Sequence, residues 1–137
     1  LKTFFHGHTY TANPLACAAA LENLRLFRSR RLLAALRPKI DRLEAFLESI
    51  GRRKHVWNVR QAGFMAGVEL AEGNGRPFPV KARVGHRVCL AARRHGLWIR
   101  PLGDVIVLMP PLSISARELD KMLDAVERSV IEVTEGG

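Results

Sequence analysis

The chain has 137 residues, 47% hydrophobic and 26% charged, which supplies one packed core and excludes a disordered polypeptide. Twenty-two Lys and Arg against thirteen Asp and Glu leave a formal charge of +9, but the cations cluster at Arg28, Arg30 and Arg31, at Arg52, Arg53 and Lys54, and at Arg93, Arg94 and His95. Those are expected helix ends, where cations favour the dipole and solvate the surface, so no nucleic-acid partner is expected.

Cys17 and Cys89 lie far apart with neither CxxC nor Cys/His spacing, which argues against a disulfide framework or zinc site and makes a reducing, cytoplasmic setting the expectation. No apolar run approaches the roughly 20 residues needed to span a bilayer, so no membrane partner is expected. The chain opens on Leu1 without a cleavable signal pattern, and a true start further upstream is expected.

Residues 1–13 read as a polar and aromatic loop. Asn13-Pro14 then offers a cap followed by proline at the first helical position, and Leu15, Cys17, Ala18, Leu21, Leu24 and Phe27 give the following helix an apolar face. A second helix is expected from about Ser29 to Ile50, with Leu33, Leu36, Ile40, Leu43 and Leu47 at three- and four-residue steps. Pro38 should kink or split it, because proline removes a backbone donor and clashes with the preceding turn. From His55 the pattern alternates as in strands, over residues 56–61 and again through Phe64, Ala66, Val68 and Leu70.

Glu72-Gly73-Asn74-Gly75-Arg76-Pro77 is a loop signal, and a helix is expected over residues 80–95, closing at Gly96. Residues 97–100 and 105–109 read as two short strands around Pro101-Leu102-Gly103-Asp104, and Pro110-Pro111 stops the second. Ser115 with Glu118 forms a capping box ahead of a last helix carrying Leu119, Met122, Leu123, Val126 and Val130. The order predicts an α+β lobe, a small, mainly antiparallel sheet covered by helices, with no internal repeat.

The most specific stretch is His6-Gly7-His8-Thr9-Tyr10-Thr11-Ala12-Asn13-Pro14. Amides at a helix start, together with the Thr9 or Thr11 hydroxyl, can hold the oxygens of an anion; the plainer alternative is that they only cap the helix. His6 and His8 could be imagined as a metal pair, but they lack a third ligand of suitable spacing.

This string resembles the loop of class III aminotransferases, in which a threonine or serine ahead of an Asn-Pro helix binds the phosphate of pyridoxal 5'-phosphate across a dimer interface. The resemblance continues through Arg60-Gln61-Ala62-Gly63-Phe64-Met65, Trp98-Ile99-Arg100-Pro101-Leu102-Gly103-Asp104 and Met109-Pro110-Pro111. Within that family the Ile-Arg-Pro-Leu-Gly run is most similar to the diaminopelargonate synthase branch, which aminates 8-amino-7-oxononanoate in biotin biosynthesis with S-adenosylmethionine or lysine as donor.

The resemblance implies the small carboxy-terminal domain of a fold type I transferase that works as a homodimer, with residues 1–28 as cofactor-phosphate and interface loop and the start of the linking helix, and residues 29–137 as the small domain. It implies Thr9 and His8 at the cofactor, Gly7 beside the substrate, and Arg100 on the substrate carboxylate, where a guanidinium fork grips more selectively than an ammonium. The lysine that carries the cofactor is implied to lie upstream, so that this chain alone is inactive. Two other readings stay open: another class III enzyme acting on an ω-amino acid or 4-aminobutyrate, and a non-catalytic basic binding module.

Overall fold

A computed structural model describes residues 6, 7 and 9–136, and the chain divides into two compact units, Leu1–Ala35 and Leu36–Gly137.

In the first unit α1 spans Pro14–Ser29. The Asn13 side chain accepts a hydrogen bond from the Ala16 amide at 3.1 Å, and Pro14 begins the first turn, so the helix starts where the sequence places it. None of its residues is buried, and Leu15, Leu21 and Leu24 are exposed. Arg31, at φ +43°, breaks the chain before the short α2, Leu32–Ala35. The expected long helix is therefore split, and it begins at Leu32 rather than Ser29.

In the second unit α3 spans Arg37–Ile50 with Pro38 in its first turn, the one part of a helix that needs no amide from proline. Leu43, Leu47 and Ile50 form its buried stripe. Strands β1 (Val56–Ala62) and β2 (Met65–Leu70) follow. They pair antiparallel up to Ala62 and Met65, closing on the two-residue turn Gly63-Phe64, where Gly63 takes φ +58°. A bulge interrupts β1 between Val56 and Asn58.

The helix expected from residue 80 is broken near its start. A 3-10 turn covers Val80–Ala82, Arg83 takes φ +46°, and α4 runs Val84–Arg94. Residues 97–100 form no strand. The Leu97 amide donates to the Ala92 carbonyl at 2.9 Å, so this segment begins by closing α4 instead of joining the sheet. Pairing starts one step later, in β3 (Pro101–Leu102) against β4 (Val105–Leu108). The capping box then forms as expected, with the Ser115 side chain and backbone exchanging bonds with Glu118, and α5 spans Ala116–Thr134.

The sheet order is β1-β2-β4-β3, antiparallel throughout. Ala66, Val68 and Leu70 of β2 and Ile106 and Leu108 of β4 alternate inward and meet the apolar stripes of α3, α4 and α5 in one core. Leu43, Ile50, Val88, Leu119, Val126 and Val130 are fully enclosed there. Ser129 is buried among them and donates to the Ala125 carbonyl at 2.6 Å, so its hydroxyl is satisfied. This is the α+β architecture read from the sequence.

Candidate functional site

The loop that leads into α1 carries Gly7 and Thr9, both exposed, while His8 lies outside the described residues. Ala12 stands at φ +59°, a left-handed conformation that a non-glycine residue takes only where its surroundings impose it. The helix start uses most of its own donors. The Asn13 amide donates to the Tyr10 carbonyl at 3.2 Å, the Cys17 amide to the Asn13 carbonyl at 2.9 Å, and the Ala16 amide to the Asn13 side chain. Pro14 has none to give.

The sequence reading gave helix-start amides a share in holding an anion; among the described residues, the Asn13 side chain takes the Ala16 amide and Pro14 has no N–H, which leaves the Leu15 amide in the first turn for that purpose. An anion here would rest on the Thr9 hydroxyl and the loop. No acidic side chain stands in the first turn of α1 to repel it. Such a donor set could hold an oxygen of an anion such as a phosphate.

In the second unit Arg100 is exposed on the segment between α4 and β3. It shares an open concavity of about 480 Å³ with His86, Cys89, Leu90, Arg93 and Trp98. No Asp or Glu lines it among the described residues. The Arg93 guanidinium lies 3.9 Å from the centroid of the Trp98 ring, an orientation favoured by the ring quadrupole. Such a wall, with fixed positive charge, an aromatic face and no competing anion among the described residues, could receive a carboxylate. Cys89 is buried, which pushes its thiol up with only partial relief from Arg93, so it is poorly suited to act as a nucleophile.

The sequence marks Asp104 as a turn residue at the end of the Trp98–Asp104 run, without showing its partner. Asp104, in the turn between β3 and β4, accepts the Gly85 amide at 2.8 Å, and so caps α4 from 19 residues away. Arg83, at the cap position, makes no side-chain cap bond itself. Aspartate is common in turns for local reasons, so nothing in its neighbours announces a partner so far along the chain.

A second depression of about 550 Å³ is walled by Leu97, Ile99, Leu108, Met109, Ile114 and Met122, with His95, Glu118 and Lys121 also on its lining. Among the described residues no three His, Cys, Asp or Glu side chains are grouped to hold a metal ion. No helix among them is long and apolar enough to cross a membrane.

The family model described as Aminotransferase class-III matches residues 1–130. The chain belongs to the class III aminotransferases. A relative from Geobacter sulfurreducens named adenosylmethionine-8-amino-7-oxononanoate aminotransferase is 51% identical, over 99% of this chain and 30% of its own length.

Among solved structures of class III relatives, the adenosylmethionine-8-amino-7-oxononanoate aminotransferase of Methanocaldococcus jannaschii is 37% identical and superimposes with a TM-score of 0.88, over 96% of this chain and 30% of that one. The PMP-bound aminotransferase of Vibrio fluvialis is 30% identical with a TM-score of 0.89, over 97% and 30%. The chain thus spans about 30% of the length of these relatives. Family and fold agree with the reading of the phosphate-loop string and the Ile-Arg-Pro-Leu-Gly run.

Proposed function

We propose that this chain is the carboxy-terminal part of a homodimeric, pyridoxal-phosphate-dependent aminotransferase that converts 8-amino-7-oxononanoate to 7,8-diaminononanoate, with S-adenosylmethionine or lysine as donor. The observation that carries this reading is the 51% identity, across 99% of the chain, to a relative named for that acceptor. When bound, the cofactor supplies an electron sink and carries the amino group between donor and acceptor.

The chain's own residues bind and orient. The Arg100 guanidinium would take the acceptor carboxylate as a two-pronged fork, on a wall without carboxylates to compete. The Thr9 hydroxyl would donate to a phosphate oxygen, and Gly7, lacking a side chain, would let substrate approach the loop backbone. His8 joins Thr9 at the cofactor in this reading. Proton transfer at the reacting carbon falls to the cofactor-carrying lysine that the family resemblance puts outside this chain. In this reading the small domain takes residues 29–137, whereas the compact second unit begins at Leu36.

Single-turnover kinetics of each half-reaction in the complete enzyme test this reading. Arg100→Ala should weaken use of 8-amino-7-oxononanoate by about 2–5 kcal/mol, the scale for truncating one side of a desolvated charge pair. The donor half-reaction should change much less. Equal losses in both halves, or efficient turnover of 4-aminobutyrate or another ω-amino acid instead, would overturn the assignment.

A further inference from the structure

The concavity around Arg100 has two walls, α4 on one side and residues 98–101 on the other. Each end of this pair of walls is tied by a hydrogen bond. At the carboxy-terminal end of α4 the Leu97 amide donates to the Ala92 carbonyl at 2.9 Å. At the amino-terminal end the Gly85 amide donates to the Asp104 carboxylate at 2.8 Å. Arg100 lies between the two ties, four residues from Asp104 and joined to it through β3 and the Gly103-Asp104 turn.

The approach at the second tie is close. A Cβ built on Gly85 would fall 2.4 Å from the Gly103 carbonyl oxygen and 2.9 Å from the Asp104 Cα, distances no side-chain carbon tolerates. Glycine is thus required at residue 85 for the turn to reach α4, and Gly103, at φ +61°, shapes the turn from the other side. Arg83 makes no side-chain cap bond to α4, and Asp104 supplies that acceptor.

From this geometry we infer that Asp104 is a positioning residue for Arg100. By holding the β3–β4 turn against Gly85 it sets the separation between α4 and the segment ahead of β3 that presents the guanidinium. The inference rests on the reading of Arg100 as the carboxylate-binding residue. A fork that must meet two oxygens at once is sensitive to small displacements of its base, whereas α4 and the hairpin share a core that keeps them folded without the tie.

The test is a double-mutant cycle in the complete enzyme, with KM for 8-amino-7-oxononanoate, kcat, and the donor half-reaction read separately. Asp104→Ala should raise KM for the acceptor roughly tenfold, the effect of one charge-assisted hydrogen bond, with kcat and the donor half-reaction little changed. Asp104→Asn keeps an acceptor oxygen and should restore most of the affinity; Asp104→Glu keeps the charge but moves the oxygen and should not. In an Arg100→Ala background the Asp104→Ala effect should vanish.

The same loss with and without Arg100, or an equal loss in both half-reactions, would show Asp104 to be a helix cap only and overturn the inference. So would an unchanged acceptor KM in Asp104→Ala. If Arg100→Ala itself leaves the acceptor unaffected, it is the reading of Arg100 that fails, and the two failures are separable.

Discussion

The Lys39 ammonium donates to the Ile114 carbonyl at 2.5 Å and also to the Leu112 carbonyl at 3.3 Å. One side chain of α3 thereby holds the connection between β4 and α5, a stretch that contains Pro110 and Pro111 and has little backbone pairing of its own. Lys39→Met keeps the apolar stem and removes the three donors. It should cost about 1 kcal/mol, because the two carbonyls are only part-buried and water recovers some of the bond. A fall in urea midpoint at unchanged slope is the expected result.

Glu132 of α5 pairs with Arg94 and, at 3.4 Å, with His95, both at the end of α4. The hydrogen bond from Arg94 is the main cause that holds its carboxyl below the ordinary carboxylate range. A carboxyl that binds its proton less readily folded than unfolded adds stability that is fully present above the unfolded pKa, about 4.3. That contribution is lost as pH falls through the lower folded value. Glu132→Gln should therefore flatten the acid side of the stability profile below about pH 4.5. Parallel urea titrations of both proteins between about pH 3 and 7 would reveal it; an unaltered acid limb would place the sensitivity at other carboxylates, such as Glu118 in its capping box.

Thr9 offers a different measurement. In the complete enzyme, Thr9→Val keeps the shape of the side chain and removes its donor, and cofactor retention should weaken by about 1.5–3 kcal/mol, the worth of a hydrogen bond to a charged oxygen. Thr9→Ser should retain the cofactor. Equilibrium dialysis distinguishes the two, and equal retention by the valine variant would reduce the loop to a helix cap.

The features legible in the sequence are those written in neighbouring residues. Asn13-Pro14, the capping box of Ser115 and Glu118, and the split ahead of Pro38 each depend on chemistry within four residues, and each appears where the pattern puts it. What was not legible depends on distant partners. The break at Arg83 belongs with a helix capped by Asp104 from 19 residues away, and the short β3 follows from Leu97 spending its amide on α4.

The site divides in the same way. Arg100 and Thr9 stood out because of the motifs around them, whereas Trp98 beneath Arg93, and Gly85 beneath the β3–β4 turn, have meaning only once the chain is folded. Which helix-start amide the cap takes was likewise not legible in advance: the Asn13 side chain accepts from Ala16.

The two margins of the sheet are also informative. On one margin β3 has only two residues and begins with Pro101, which has no N–H to offer a further strand. On the other, β1 is bulged at its start, carries Arg60 outward in an ion pair with Glu69, and ties its Gln61 side chain to the Ile40 carbonyl. Neither margin is a template for adding strands, because bulges, edge charges and proline all discourage lateral growth. Solutions of this chain should consequently resist fibrillar, cross-β aggregation even when concentrated. Self-association, where it occurs, would proceed through helical surfaces such as the exposed leucines of α1, and would be reversed by mild detergent without loss of the sheet.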